Sequence, residues 1–153
     1  MRLADILSVE RVTVHLEAND KRQALEALAR LFVRTRADLD PKEITRVFEE
    51  REALASTGVG SGVAIPHGRL RAVQALSAAV GICKEGVDFD AIDGRPAHLL
   101  VAVLGPEKQT GEHLKALARF SRVLRDERVR QRLMQCATDE EALEILVTED
   151  ARK

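Results

Sequence analysis

The histidine that follows a glycine-rich turn and a proline is the residue of this chain best placed for chemistry. In S-T-G-V-G-S-G-V-A-I-P-H-G-R, residues 56–69, Gly58, Gly60 and Gly62 fall within five positions. They give a backbone that can take φ > 0 and leave its amides uncovered, which makes room for a phosphate or a carboxylate. Pro66 fixes φ just before His67, so the imidazole is positioned rather than dangling. Gly68 keeps bulk away from it, and Arg69 and Arg71 add positive charge. An imidazole held in this way can act as a general base, a metal ligand or a nucleophile.

Competing chemistries fail on spacing. A P-loop needs G-x-x-x-x-G-K-[ST], whereas Gly62 is followed by Val, Ala and Ile. A dinucleotide fingerprint fails too, because the third glycine is misplaced and no helix opens after it. The histidines at positions 15, 67, 98 and 113 show neither an i, i+4 pair nor H-E-x-x-H, so no metal site is expected. His15 reads as a solvated strand residue and His98 as a hydrogen-bonded structural one. Ser56, Ser61, Ser77 and Ser121 lack a nucleophile elbow, and Cys83 lies in an apolar strand pattern where a thiolate is poorly supported. His67 is left as a nucleophile for phosphorus, since a neutral imidazole attacks well near pH 7. Such a transfer asks the protein for alignment and charge neutralisation. His113 can donate to a phosphoryl oxygen and Arg51 can neutralise charge. The amides of Gly58, Gly60, Ser61 and Gly62 can take the remaining oxygens.

Those residues need elements to carry them. Residues 12–16, V-T-V-H-L, alternate as a short strand with His15 outward. Asp20, with Gln23 three residues on, caps a helix reaching about Arg34 along a stripe of Leu25, Leu28 and Phe32. Asp40 and Pro41 open a second helix with the stripe Ile44, Val47, Phe48, and its next member is Arg51. An arginine in that phase points inward toward the glycine loop, or else snorkels to water and pairs with Glu49 or Glu50. Residues 75–83 and 97–104 read as central strands covered on both faces, joined through turn signals at residues 87–90 and Asp93-Gly94. Thr110 caps a helix that puts His113, Leu117, Phe120 and Leu124 on one face. A short helix carries Val129 and Leu133. Thr138 with Glu141 boxes a last helix bearing Leu143, Leu146 and Val147, and its polar tail, E-D-A-R-K, is expected to fray. The whole is one α/β domain without internal repeats.

The chain has 153 residues, 24 Lys plus Arg and 25 Asp plus Glu, for a net charge of −1. No global field favours nucleic acid or an anionic membrane, so an anion site must be local. No apolar run is long enough to span a bilayer, and acidic residues interrupt any signal-like start. Cys83 and Cys136, far apart and outside a C-x-x-C pattern, read as reduced thiols of a cytoplasmic protein. The lack of Trp and Tyr removes the stacking platforms that single-stranded nucleic acid uses.

R-E-A-L-A-S-T-G-V-G-S-G-V-A-I-P-H, followed downstream by L-L-V-A-V-L-G-P-E-K-Q-T-G-E-H-L-K-A-L, resembles the IIA domain of the bacterial phosphoenolpyruvate:sugar phosphotransferase system. The branch is the fructose/mannitol type, which includes the nitrogen-regulatory IIA proteins, and the resemblance runs through residues 1–153. It implies a mixed β-sheet flanked by helices, and phosphorylation of His67 on Nε2 by a histidine phosphocarrier of the HPr or NPr kind. It further implies that Arg51 and His113 support the phosphoryl group and that no cofactor is required. Ser61 stands where the family often has Asn. Transport members are commonly fused to other domains, so a chain of 153 residues favours a regulatory IIA acting on target proteins over a sugar-specific one passing phosphate to a IIB domain. In the regulatory case the added charge alters which proteins can dock.

Overall fold

The computed structural model describes residues 1–108 and 110–152. Two 3₁₀ turns, Leu3–Asp5 and Val9–Arg11, lead into strand β1, Val12–Thr13, and then helices α1, Lys21–Val33, and α2, Pro41–Leu54. Three short strands follow: β2, Gly58–Gly60; β3, Val63–Ala64; and β4, His67–Arg69. The long central pair is β5, Ser77–Val87, and β6, Ala97–Gly105, and the chain closes with α3, Thr110–Leu124, α4, Glu127–Gln135, and α5, Asp139–Arg152.

The six strands form one mixed sheet in the order β1-β5-β6-β3-β2. β6 is its axis, pairing antiparallel with β5 along one side. On its other side it pairs in parallel first with β3, at Leu99 and Leu100, and then with β4, at Val103 to Gly105. Alternation along these apolar strands supplies a core on each face, as a sheet covered on both sides requires. Val80, Ile82, Leu99, Val101 and Val103 pack with α3, α4 and α5. Ala79, Cys83, Leu100, Ala102 and Leu104 face α1 and α2. The α/β expectation holds, with the sheet between two helical layers.

Helix boundaries follow their signals. The Asp20 carboxylate accepts from the Gln23 N–H at 2.8 Å and that of Asp40 from the Lys42 N–H at 2.9 Å. Thr138 Oγ1 accepts from the Glu141 N–H at 3.1 Å. Other expectations are corrected. The strand read over residues 12–16 stops at Thr13, because the Val14 N–H turns away from the sheet to the Asp139 carboxylate at 3.0 Å, although His15 is exposed as expected. α3 begins at Thr110 itself, so Thr110 lies in its first turn instead of capping it. The expected frayed tail is helical through Arg152; Asp150 is 2 % exposed and accepts from the Leu3 N–H at 2.8 Å and twice from Arg119 at 3.0 and 3.2 Å. Lys153 lies outside the described residues.

The segment read as a glycine loop is mostly strand. β2 and β3 form a hairpin closed by Ser61 and Gly62, both with positive φ, +57° and +79°. That is the combination a two-residue hairpin turn demands. Gly68 matters for a different reason. A Cβ there would come within 2.9 Å of a Val47 methyl, so its bareness lets α2 lie directly on β4.

Candidate functional site

His67 opens β4 beyond the restraint of Pro66, and strand alternation fixes its direction. Gly68 faces α2, so His67 and Arg69 face the other way, toward the layer that contains α3. His67 Nδ1 lies 3.0 Å from the carbonyl oxygen of Ile65, which can only accept, so Nδ1 carries the proton. Nε2 is then left with its lone pair, and it accepts from Arg51 Nε–H at 3.1 Å. Arg51, in the last turn of α2, also donates to the Ala55 carbonyl at 2.9 Å, which fixes the guanidinium across the end of its own helix. Of its two expected orientations, the inward one is observed, and its target is the imidazole.

From the α3 side, His113 brings a second imidazole, with ring centroids 5.4 Å apart and planes inclined at 62°. It is 3 % exposed, and its Nδ1 is buried without a hydrogen-bond partner among the described residues. Gly105 makes its place, since a Cβ there would lie 3.1 Å from that nitrogen. Burial, then the charges of His67 and Arg69, push the His113 pKa down to about 4. His67 also titrates below its ordinary 6.5: burial is the main cause, the Ile65 carbonyl and Glu52 act the other way, and the positive charges of Arg51 and Arg69 add to the lowering. Both rings are therefore neutral at pH 7. A cavity of about 400 Å³ opens in front of them, and Arg51, Leu54, His67, Arg69, His113 and Leu114 are among its lining. Leu54 and Leu114 are 82 % and 60 % exposed.

The structure thus brings together His67, Arg51 and His113, three of the residues expected from sequence. It does not bring the glycines to them. None of Gly58, Gly60, Ser61 and Gly62 lines the cavity, and the Ser61 N–H is taken by the Asp93 carboxylate at 2.9 Å. Their positive φ values and close packing shape the hairpin that precedes His67. His98 donates through Nδ1 to the Cys83 carbonyl, 3.0 Å away, as a structural histidine does. Among the described residues no three His, Cys, Asp or Glu side chains converge as a metal site would require, and no helix is long and apolar enough to cross a membrane.

Residues 5–148 match the family described as phosphoenolpyruvate-dependent sugar phosphotransferase system, EIIA 2. The chain belongs to this EIIA type-2 family. Among its EIIA relatives, the nitrogen regulatory protein of Pseudomonas aeruginosa is 40 % identical over 147 residues, covering 96 % of each chain. The fructose-specific EIIABC component of Bacillus subtilis is 28 % identical over 150 residues; 98 % of this chain is aligned, but it spans only 24 % of that longer protein. In three dimensions the EIIA chain is similar to the crystal structure of the nitrogen regulatory protein IIA-Ntr from Neisseria meningitidis, with a TM-score of 0.88, 35 % identity and coverage of 94 % and 98 %.

Near the EIIA histidine the structure adds Glu52, which the sequence reading did not single out. Glu52 accepts from the Thr57 N–H at 3.1 Å and from the Thr57 hydroxyl, and it pairs with Lys21 at 2.7 Å. A signal existed: Glu52 follows Phe48 by four residues and so belongs to the inward stripe of α2. A carboxylate in that phase needs partners, just as Arg51 does.

Proposed function

We propose that this EIIA protein is a phosphoryl carrier in which His67 Nε2 accepts a phosphoryl group from a histidine phosphocarrier of the HPr or NPr kind. The observation that carries this is the state of His67: neutral, its Nδ1–H engaged by Ile65, its Nε2 lone pair free for attack once the Arg51 contact yields. In the transfer the P–N bond of the donor's phosphohistidine breaks, its electron pair returning to the donor nitrogen, as a new P–N bond forms at Nε2. No proton has to move, because Nδ1–H stays on the Ile65 carbonyl. Arg51 shifts from Nε2 to the incoming phosphoryl oxygens, a guanidinium–oxyanion pairing stronger than the one it leaves. His113, neutral and next to His67, offers an N–H to another of those oxygens.

The role we infer is regulatory. High identity to a nitrogen regulatory protein over nearly the whole of both chains supports this, as does the close structural match to IIA-Ntr. Phosphorylation adds about −1.5 to −2 charge at a surface rimmed by exposed Leu54 and Leu114. That change alters docking of target proteins. Passage of the phosphoryl group to a sugar-specific IIB domain is the second reading, favoured by the match to a fructose-specific component. This role lies in the cytoplasm, where the buried free thiols of Cys83 and Cys136 stay reduced.

Incubation with phosphoenolpyruvate, enzyme I and a phosphocarrier tests the proposal. Acid-labile label on the wild type and none on His67→Ala is expected. Equal labelling of both, or labelling of neither, would refute it. Addition of a cognate IIB domain separates the roles, because rapid loss of label to IIB indicates sugar transfer.

A further inference from the structure

A closed circuit of hydrogen bonds runs from α2 through the hairpin to the reactive imidazole and back to α2. Glu52 holds the Thr57 N–H at 3.1 Å and the Thr57 hydroxyl. The Thr57 carbonyl accepts from the Ile65 N–H at 3.0 Å, and the Ile65 carbonyl engages His67 Nδ1 at 3.0 Å. His67 Nε2 accepts from Arg51, the covalent neighbour of Glu52. Every link joins groups held by buried or half-buried backbone, and the Glu52 side chain is only 6 % exposed. A carboxylate so enclosed costs free energy unless its oxygens are satisfied, and these oxygens are: Lys21, at the start of α1, reaches one of them at 2.7 Å. The ammonium of Lys21 is itself pinned over the Phe89 ring, 4.9 Å from its centroid, and lies 3.5 Å from Asp90.

We propose that Glu52 is a positioning residue for the phosphoryl-accepting histidine, clamping the loop so that the Ile65 carbonyl holds His67 in its Nδ1–H tautomer with Nε2 presented to the cavity. The inference rests on the phosphoryl-carrier reading for its purpose, but not for its geometry. Without the clamp, Thr57 is free to move with respect to α2, and with it the carbonyl that selects the tautomer. In a loosened site a share of His67 would carry its proton on Nε2, where it can neither attack phosphorus nor accept from Arg51.

The groups facing His67 are Arg51 and Glu52 from α2, Arg69 on its own strand, and His113 from α3; Glu50 lines the same cavity. Glu52 is the member of this set whose charge favours the imidazolium, and Lys21 opposes it by neutralising the carboxylate. Two substitutions therefore act in opposite directions. Glu52→Ala is expected to lower the His67 pKa and to replace the single Nδ1–H tautomer by a mixture in the ring ¹⁵N spectrum. It should also slow phosphoryl acceptance by about tenfold, as modest misplacement of a reacting atom does. Lys21→Met, which leaves the clamp to Thr57 in place, is expected to raise the His67 pKa and to keep the tautomer.

The spectra are recorded on the unphosphorylated protein, so they stand even if no phosphocarrier labels His67, a result that would count against the carrier reading alone. An unchanged His67 pKa and tautomer in Glu52→Ala would overturn the proposal, whether or not the transfer rate fell. So would pKa shifts of the same sign in both variants, the mark of general loosening. Should Glu52→Ala not fold, Thr57→Val, which removes only the hydroxyl bond, must still shift the tautomer balance toward Nε2–H for the proposal to survive.

Discussion

Two opposed contacts define the chemistry of His67: a carbonyl that takes its proton-bearing nitrogen and a guanidinium that marks the other. The guanidinium is expected to matter more in the transition state than in the resting protein, since charge on the phosphoryl oxygens must be met as it is transferred. Arg51→Ala should slow acceptance by about a hundredfold, the usual effect of losing one preorganised donor. Transfer at the wild-type rate would show its assignment to be wrong. Because His67 titrates below 6.5, the acid limb of the pH–rate profile should lie under that value, and a limb above it would contradict the desolvated imidazole described here. His113 has a stability signature of its own. Its pKa is depressed in the folded protein, so between pH 6.5 and about 4 the unfolded chain binds the proton that the folded one refuses. Stability is then full above 6.5 and declines as the pH falls, by on the order of 3 kcal/mol from this group. Urea titrations across that range should show the loss, and His113→Gln should flatten it. At this scale the sequence was informative where phase and fixed dihedrals act. Arg51 on an apolar stripe and His67 behind Pro66 were both legible. Occupancy of amides was not: that Asp93 claims the Ser61 N–H depends on a contact across 32 residues, which no local pattern encodes.

Among the elements, the short ones were the least legible. β2, β3 and β4 are two or three residues long, below the length at which alternation can be distinguished from irregular chain; β3 and β4 exist because β6 offers its free side to them, and β2 because it folds back on β3. Long elements with caps, such as α1, α2 and the central strands, were visible because their signals are local. The end of α5 shows the opposite case. Glu149 and Asp150 look like solvated tail residues in sequence, yet Asp150 joins α5 to α3 and to the N-terminus through Arg119 and Leu3. Asp150→Ala is expected to destabilise the fold by about 2–3 kcal/mol, the scale of lost charged hydrogen bonds to a buried group. Denaturant midpoints check this, and a change within a few tenths of a kcal/mol would mean that the tail is dispensable. Where β6 meets α3, Gly105→Ala would drive a methyl toward His113 and Leu76. It should slow phosphoryl acceptance while leaving the circular-dichroism spectrum intact, and an unaltered rate would show that the His113 ring need not stay where it is.

For the molecule as a whole, the sheet is an assembly device that brings two helical layers to one histidine. α2 delivers Arg51 from one face, α3 delivers His113 from the other, and β4 sets His67 at the boundary between them. Net charge near zero leaves the site to be recognised by its local cations and exposed leucines, Leu54 and Leu114, and not by a global field. The most direct test is to phosphorylate ¹⁵N-labelled protein through the phosphocarrier and locate phosphorus by its coupling to ring nitrogens. The geometry predicts one phosphoryl group per chain, bonded to His67 Nε2, with Nδ1 still protonated. Phosphorus on Nδ1, on another residue, or on none would contradict it.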